Sequence, residues 1–176
     1  MKNLSIKISI YLNYFVFAIL LNSVGIVIEK SIDVYKVTES QASILEAFKD
    51  LPIALVSFLI ASFLPRFGYK KAMLVALGIV FFGCLQMIFG NSFFYTKVLF
   101  LTIGVSFALI KLSVYSLIGI LTDSKKEHAS LMSSIEGFFM VGIALAYFLF
   151  PAFYSSDENS WLNVYYFLCG LILISF

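Results

Sequence analysis

The chain has 176 residues, 61% of them hydrophobic and 12% charged, and a mean hydropathy of +1.00. Soluble domains carry about 25% charged residues, so this composition excludes a soluble globular domain and points to an integral membrane protein. A formal charge of +2 leaves no basic footprint for nucleic acid.

In chain order, residues 1–7 are a short basic tail. Residues 8–28 read as a first span, with Asn13 and Asn22 inside it, since about 20 apolar residues cross a bilayer as a helix. The run is too long for the apolar core of a signal peptide and no small-x-small site follows it, so no cleaved leader is expected. Residues 29–40 read as a polar loop. Thr38-Glu39-Ser40-Gln41 matches a capping box, with Thr38 as N-cap and Gln41 reaching back. This box starts a second span over 39–64. A basic turn at 65–71 leads to a third span over 72–89. Gly90-Asn91-Ser92 is a tight turn, with Asn91 or Ser92 capping a fourth span over 93–121.

The fourth span carries Lys111, a charged turn occupies 122–128, and a fifth span over 129–150 carries Glu136. Pro151 ends it. After an outer loop, a sixth span begins at Trp161, where Trp161, Tyr165 and Tyr166 suit an interfacial aromatic belt. It runs only over 161–176, short of the roughly 20 residues a crossing takes. We expect a sequence cut within its sixth helix; the alternative is a short, tilted or re-entrant last segment. Cys84 and Cys169 lie in apolar runs and read as packing residues.

Lys2, Lys7, Arg66, Lys70, Lys71, Lys125 and Lys126 fall on one side of these spans, whereas Lys30 and Lys36 fall on the other, with Lys97 near that interface. Positive charge stays in the cytoplasm. The expectation is therefore a multi-pass protein of the cell (cytoplasmic) membrane, its amino terminus inside.

A charge in hydrocarbon costs about 2.5–3.5 kcal/mol even on the mildest scales, so Lys111 and Glu136 need a partner or water. At ~1.5 Å per residue they lie ~15 Å and ~12 Å from their shared turn, nearly level on antiparallel helices. An ion pair that only fixes packing, or two charges facing one wet cavity, both fit. A glutamate held between desolvation and a nearby cation can take and release a proton. Glu46, Lys49 and Asp50 share one helical face through i, i+3 and i+4 spacing. They are either a wetted face or a charged gate, and Pro52 bends the helix beside them.

Ser133 with Gly137, and Gly142 with Ala146, have the spacing that lets helices approach closely in lipid. Asn13 and Asn22 face roughly opposite sides; one is expected to bond a neighbouring helix and the other to face a cavity. His128, beside Glu127 in the turn, reads as solvated. As the single histidine it rules out a histidine-rich metal site. HExxH, Gly-x-Ser-x-Gly and Gly-rich phosphate motifs are absent. Neither an enzyme nor a cofactor is expected.

The turn Ala61-Ser62-Phe63-Leu64-Pro65-Arg66-Phe67-Gly68-Tyr69-Lys70-Lys71 resembles the loop between helices two and three of major facilitator superfamily transporters, Gly-x-Leu-x-Asp-Arg-x-Gly-Arg/Lys-Arg/Lys. Arg66, Gly68 and Lys70 fit the pattern. Ala61, Pro65 and Tyr69 depart from it, and the missing acid at 65 removes the family's usual charge relay. The resemblance implies that residues 1–176 form an amino-terminal half of six transmembrane helices, built as two inverted three-helix repeats, with a carboxyl-terminal six-helix half to follow. In the family this loop helps latch the two halves together.

From Lys111 to Phe139 the chain looks most like the fucose permease group, in which the fourth helix carries a cavity carboxylate for proton coupling. Here Lys111 stands there, and Glu136 falls where that group has a polar fifth-helix residue. The exchange favours an anionic solute such as a sugar acid.

The expected function is secondary active transport of a small polar solute, sugar-like or an organic anion, coupled to protons. Lys111, Glu136 and Asn13 or Asn22 would line the cavity. The alternative is a non-transporting membrane interaction or assembly protein whose charges lie in lateral helix contacts.

Overall fold

A computed structural model describes residues 2–155 and 157–176 of the chain, and every regular element among them is helical. Helices α1 (Lys2–Asn22) and α2 (Val24–Tyr35) follow each other through Ser23. The Ser23 hydroxyl bonds back to the Leu20 carbonyl at 2.7 Å, the local competition that loosens a helix without ending it. The rod runs to a left-handed cap at Lys36, with φ 54°. The loop expected from residue 29 is therefore helical to Tyr35. Val24, Val27 and Ser31 continue the buried stripe at three- and four-residue spacing, and the charges of Glu29 and Asp33 lie on the exposed side.

The capping box forms. The Gln41 N–H donates to Thr38 Oγ1 at 3.3 Å, and the Thr38 N–H to Gln41 Oε1 at 3.0 Å. It opens a single turn, α3 (Glu39–Ala42), followed through Ser43 by α4 (Ile44–Ile60), which contains Pro52. The short α5 (Leu64–Phe67) ends at Gly68, whose φ of 94° favours glycine. Helices α6 (Tyr69–Phe89), α7 (Phe93–Leu121) and α8 (Lys125–Leu149) are long and close to their expected bounds. One-turn 3-10 segments at Pro151–Phe153 and Ser160–Asn163 precede α9 (Val164–Ser175).

Among the described residues, four helices are long and apolar enough to cross a membrane: Leu4–Tyr35, Tyr69–Phe89, Phe93–Leu121 and Lys125–Phe153. The expected second and sixth spans are shorter pieces. The second is divided among α3, α4 and α5, with Glu46, Lys49 and Asp50 in its first half. The sixth has a 12-residue α-helix after its 3-10 turn.

Two helices sit at the centre. Val16 to Leu20 of α1 and Ser106 to Ile110 of α7 are buried all round, as a helix enclosed by others must be. Helix α7 packs along α4, α6 and α1, helix α1 along α8 and α9, and α6 along α9. Lipid is as apolar as leucine, so close van der Waals packing, not burial from water, holds such contacts.

Glycines mark two of the crossings. A Cβ on Gly142 would lie 2.6 Å from Ala18 Cβ and 2.9 Å from the Phe15 carbonyl oxygen, and one on Gly104 would overlap the Lys49 carbonyl oxygen. Of the two expected small-residue pairs, Gly142 and Ala146 are buried against α1, whereas Ser133 and Gly137 are exposed.

The aromatic belt needs correction. Trp161 and Tyr165 are buried, and only Tyr166 is exposed. The 3-10 turn directs Trp161 onto Tyr35, with ring centroids 6.4 Å apart, and Tyr165 onto Phe150 at 6.2 Å.

Candidate functional site

Helices α1, α7 and α8 converge around Glu136. On α7, residues Phe107, Lys111 and Tyr115 recur every four positions and so form one column. Tyr115 Oη donates to Glu136 Oε1 at 3.0 Å. Lys111 Nζ lies 5.7 Å from the Tyr115 ring centroid and 6.0 Å from that of Phe107, the outer limit of a cation–π contact. Lys111, Tyr115 and Glu136 are each half-buried.

Helix α1 supplies aromatic walls. The Tyr14 ring is 5.6 Å from Phe139, 6.1 Å from Phe107 and 6.4 Å from Tyr115. Tyr11 Oη bonds Ser134 Oγ at 2.7 Å, and its ring meets Phe138 edge-on at 5.1 Å.

Lys111 and Glu136 share this region but are not an ion pair. Among the described residues the salt bridges are Lys7–Glu127 at 3.9 Å and Lys49–Asp50 at 3.5 Å. The carboxylate instead takes a phenol from the same helix as the lysine, one turn along. Among the described residues the ammonium therefore has aromatic faces but no carboxylate within salt-bridge distance, and the group can accept an anion without first breaking a salt bridge.

The asparagines do not join this group. Asn13 is 1% exposed, its Nδ2 bonds the Ser9 carbonyl at 2.8 Å, and its Oδ1 has no partner among the described residues. Asn22 Nδ2 bonds the Ala18 carbonyl at 2.8 Å. Each Nδ2 donates back to its own helix, and among the described residues the expected bond to a neighbouring helix is not made.

In α4, Lys49 is mostly covered and pairs with exposed Asp50, while Glu46 is exposed. Arg66 and Lys70 are exposed on either side of Gly68, at the α5–α6 turn. His128 lies in the first turn of α8, half-buried, with Nδ1 3.4 Å from Thr122 Oγ1. The solvated-loop reading fails because Ser124 caps α8 four residues earlier, accepting from the Glu127 N–H at 3.2 Å.

Sequence reasoning missed Tyr115, Tyr14 and Tyr11. The signal was present: Tyr115 follows Lys111 by four residues, and a phenol can satisfy a carboxylate as readily as an ammonium can.

No family model matches the chain, and no curated protein is similar to it in sequence.

Proposed function

We propose that the chain is the amino-terminal half of a secondary transporter of the major facilitator type, which moves a small polar anion, sugar acid or other organic acid, together with a proton. The observation that carries this reading is the group at the α1–α7–α8 junction: a cation without a carboxylate partner, one turn from a tyrosine-held glutamate.

Charge counting gives the coupling. Lys111 and ionised Glu136 sum to zero. A bound monoanion would leave one negative charge among the walls of Tyr14, Phe107 and Phe139, where uncompensated charge is costly. One proton on Glu136 restores neutrality. Loaded and empty forms then carry the same charge and cross the same barrier, whereas an anion alone does not. The asparagines expected to line the cavity give way here to Tyr11 and Tyr14 as the contribution of the first helix.

The helix pairings support the repeat architecture. A two-fold axis that exchanges helices one to three with four to six would exchange the α1–α8 contact with α7–α4, and α6–α7 with α9–α1. It would leave α1–α7 and α6–α9 on the axis. All of these pairs are in contact. The turn at Arg66, Gly68 and Lys70 fits the latch position on the basic side, which we assign to the cytoplasm. Helices α4 and α8 present Leu51, Leu55, Phe58, Phe138, Val141 and Leu145 outward, and these faces suit a carboxyl-terminal six-helix half. They equally suit a lateral partner, which is the assembly-factor reading.

The test is uptake of labelled sugars and sugar acids into proteoliposomes containing the full-length protein, both six-helix halves together. Proton-driven uptake of an acid should collapse with an uncoupler. Glu136→Gln should lose the dependence on the proton gradient, and Lys111→Met should lose the preference for anions. No uptake of any solute, or uptake indifferent to both substitutions, would favour the assembly-factor reading.

A further inference from the structure

Around Lys111 and Glu136, aromatic rings outnumber the polar groups left for a solute. Tyr11 and Tyr14 come from α1, Phe107 and Tyr115 from α7, and Phe138 and Phe139 from α8. Tyr14 and Phe107, 1% and 8% exposed, form the floor; Tyr11, Tyr115 and Phe139 are half-buried and Phe138 is exposed. The rings of Phe107 and Phe139 lie 6.0 Å apart at 34°. Tyr14 packs beneath both, with centroids 6.1 and 5.6 Å away.

The hydroxyls of these rings are spent or covered. Tyr115 Oη donates to Glu136 Oε1 and Tyr11 Oη to Ser134 Oγ. Tyr14 Oη is buried. Of this group's polar atoms, the Lys111 ammonium and Glu136 Oε2 have no bond among the described residues. Glu136 is the proton carrier of the proposed cycle, so a solute meets one cation set in an aromatic wall.

Two kinds of acid fare differently against such a wall. A sugar acid carries several hydroxyls, each of which gives up water on entering, and each one left without a partner loses about tenfold or more in affinity. A carboxylate on a flat ring needs one cation for its charge and one ring for its body. Aromatic pairs in offset or edge-on contact gain about two- to tenfold beyond the area they bury.

We propose that the solute is an aromatic monocarboxylate, its carboxylate on Lys111 and its ring against Tyr115 and Phe139. This rests on the transport reading given above and narrows its organic acid to one class. A single carboxylate matches the one-proton charge count. Phe107 and Tyr14 hold the contact rings from behind, and a flat ring needs only one of its faces on this wall.

Isothermal titration of the full-length protein in detergent tests the class with benzoate, cyclohexanecarboxylate, benzamide and gluconate. Benzoate should bind about two- to tenfold more tightly than cyclohexanecarboxylate, which has the bulk without the π-face. It should bind about tenfold or more above benzamide, which has the shape without the charge, and by a wider margin above gluconate. Lys111→Met should remove the difference between benzoate and benzamide. Phe139→Leu should remove that between benzoate and cyclohexanecarboxylate. If a variant melts early, the order of the four probes on the unsubstituted protein still decides. Gluconate or cyclohexanecarboxylate binding as tightly as benzoate would overturn the aromatic assignment and leave transport of another acid standing. Benzoate bound in the expected order by a protein that carries no acid would uphold the site and remove the transport reading. Binding of none of the four would overturn both.

Discussion

Tyr115 Oη donates to Glu136 Oε1 across 3.0 Å, while Lys111, one turn away on the same helix as the phenol, forms no ion pair among the described residues. The two charged groups of the α7–α8 hairpin are thus satisfied unequally. The glutamate has a directed donor. The lysine has only ring faces at 5.7 and 6.0 Å.

The phenol–carboxylate bond should be measurable as a coupling. Hydrogen bonds between transmembrane helices are worth about 0.6 kcal/mol on average and up to about 1.7, and this one has a charged acceptor. In a Tyr115→Phe/Glu136→Leu double-mutant cycle, unfolding in mixed micelles should give a coupling of ~1 kcal/mol. A value indistinguishable from zero would mean that the two groups do not meet.

Removing the lysine discriminates more sharply. Were Lys111 paired with Glu136, Lys111→Met would strand a buried carboxylate and destabilise the fold by about 3–5 kcal/mol. With the phenol holding Glu136 and no ion pair on Lys111 among the described residues, the substitution breaks no salt bridge and leaves the carboxylate its donor. We expect a loss well short of that range in the same unfolding assay. Loss of several kcal/mol would restore the ion pair.

Packing at the helix crossings gives a third test. At Gly104 a Cβ meets the Lys49 carbonyl oxygen and Pro52 Cβ, the latter at 3.2 Å, whereas at Gly137 it meets nothing within 4 Å. Gly104→Ala should therefore cost about 1–3 kcal/mol, the usual range for overpacking. Gly137→Ala should be neutral or stabilising by up to about 1 kcal/mol, since alanine is the better helix former. Equal effects at the two sites would contradict the α4–α7 crossing.

How far the sequence revealed this structure depended on the kind of signal. Phe93–Leu121 was legible to the residue because polar Ser92 and Thr122 bracket an unbroken apolar run. The Thr38–Gln41 box was legible because capping is local chemistry. Tyr35 as the end of the first rod was not. Glu29, Lys30 and Asp33 lower the hydropathy as a loop would, and only the burial of Val24, Val27 and Ser31 on the opposite face distinguishes an amphipathic helix. Trp161 and Tyr165 carry no mark telling an interface from an interior, since the deciding 3-10 turn depends on what α9 packs against. At the candidate site, the charges of Lys111 and Glu136 drew attention to each other. Tyr115, uncharged and one turn away, made the contact.

Which ends of the helices lie together yields the last prediction. The 3.9 Å contact between Lys7 and Glu127 joins the start of α1 to the start of α8, and a cavity lined by Ser5, Lys70 and Leu117 adds α6 and α7 to that end. At the other end, Lys30 Nζ stands 4.1 Å from the Tyr154 ring centroid and Asn91 bonds Asn159 at 2.9 Å. Cysteines placed at Lys7, Lys70 and Lys125 should therefore share one accessibility to an impermeant thiol reagent, and cysteines at Lys36 and Glu158 the opposite one. Cys84 and Cys169 are first replaced by alanine; both are buried, and native-like melting checks the background. On the proposed orientation, with the basic end in the cytoplasm, intact cells should label only the second set, and permeabilised cells both. The reverse result would invert the chain in the membrane while leaving the bundle intact. Mixed labelling within one set would mean that the helices do not cross as antiparallel neighbours, and the junction of Lys111, Tyr115 and Glu136 would go with them.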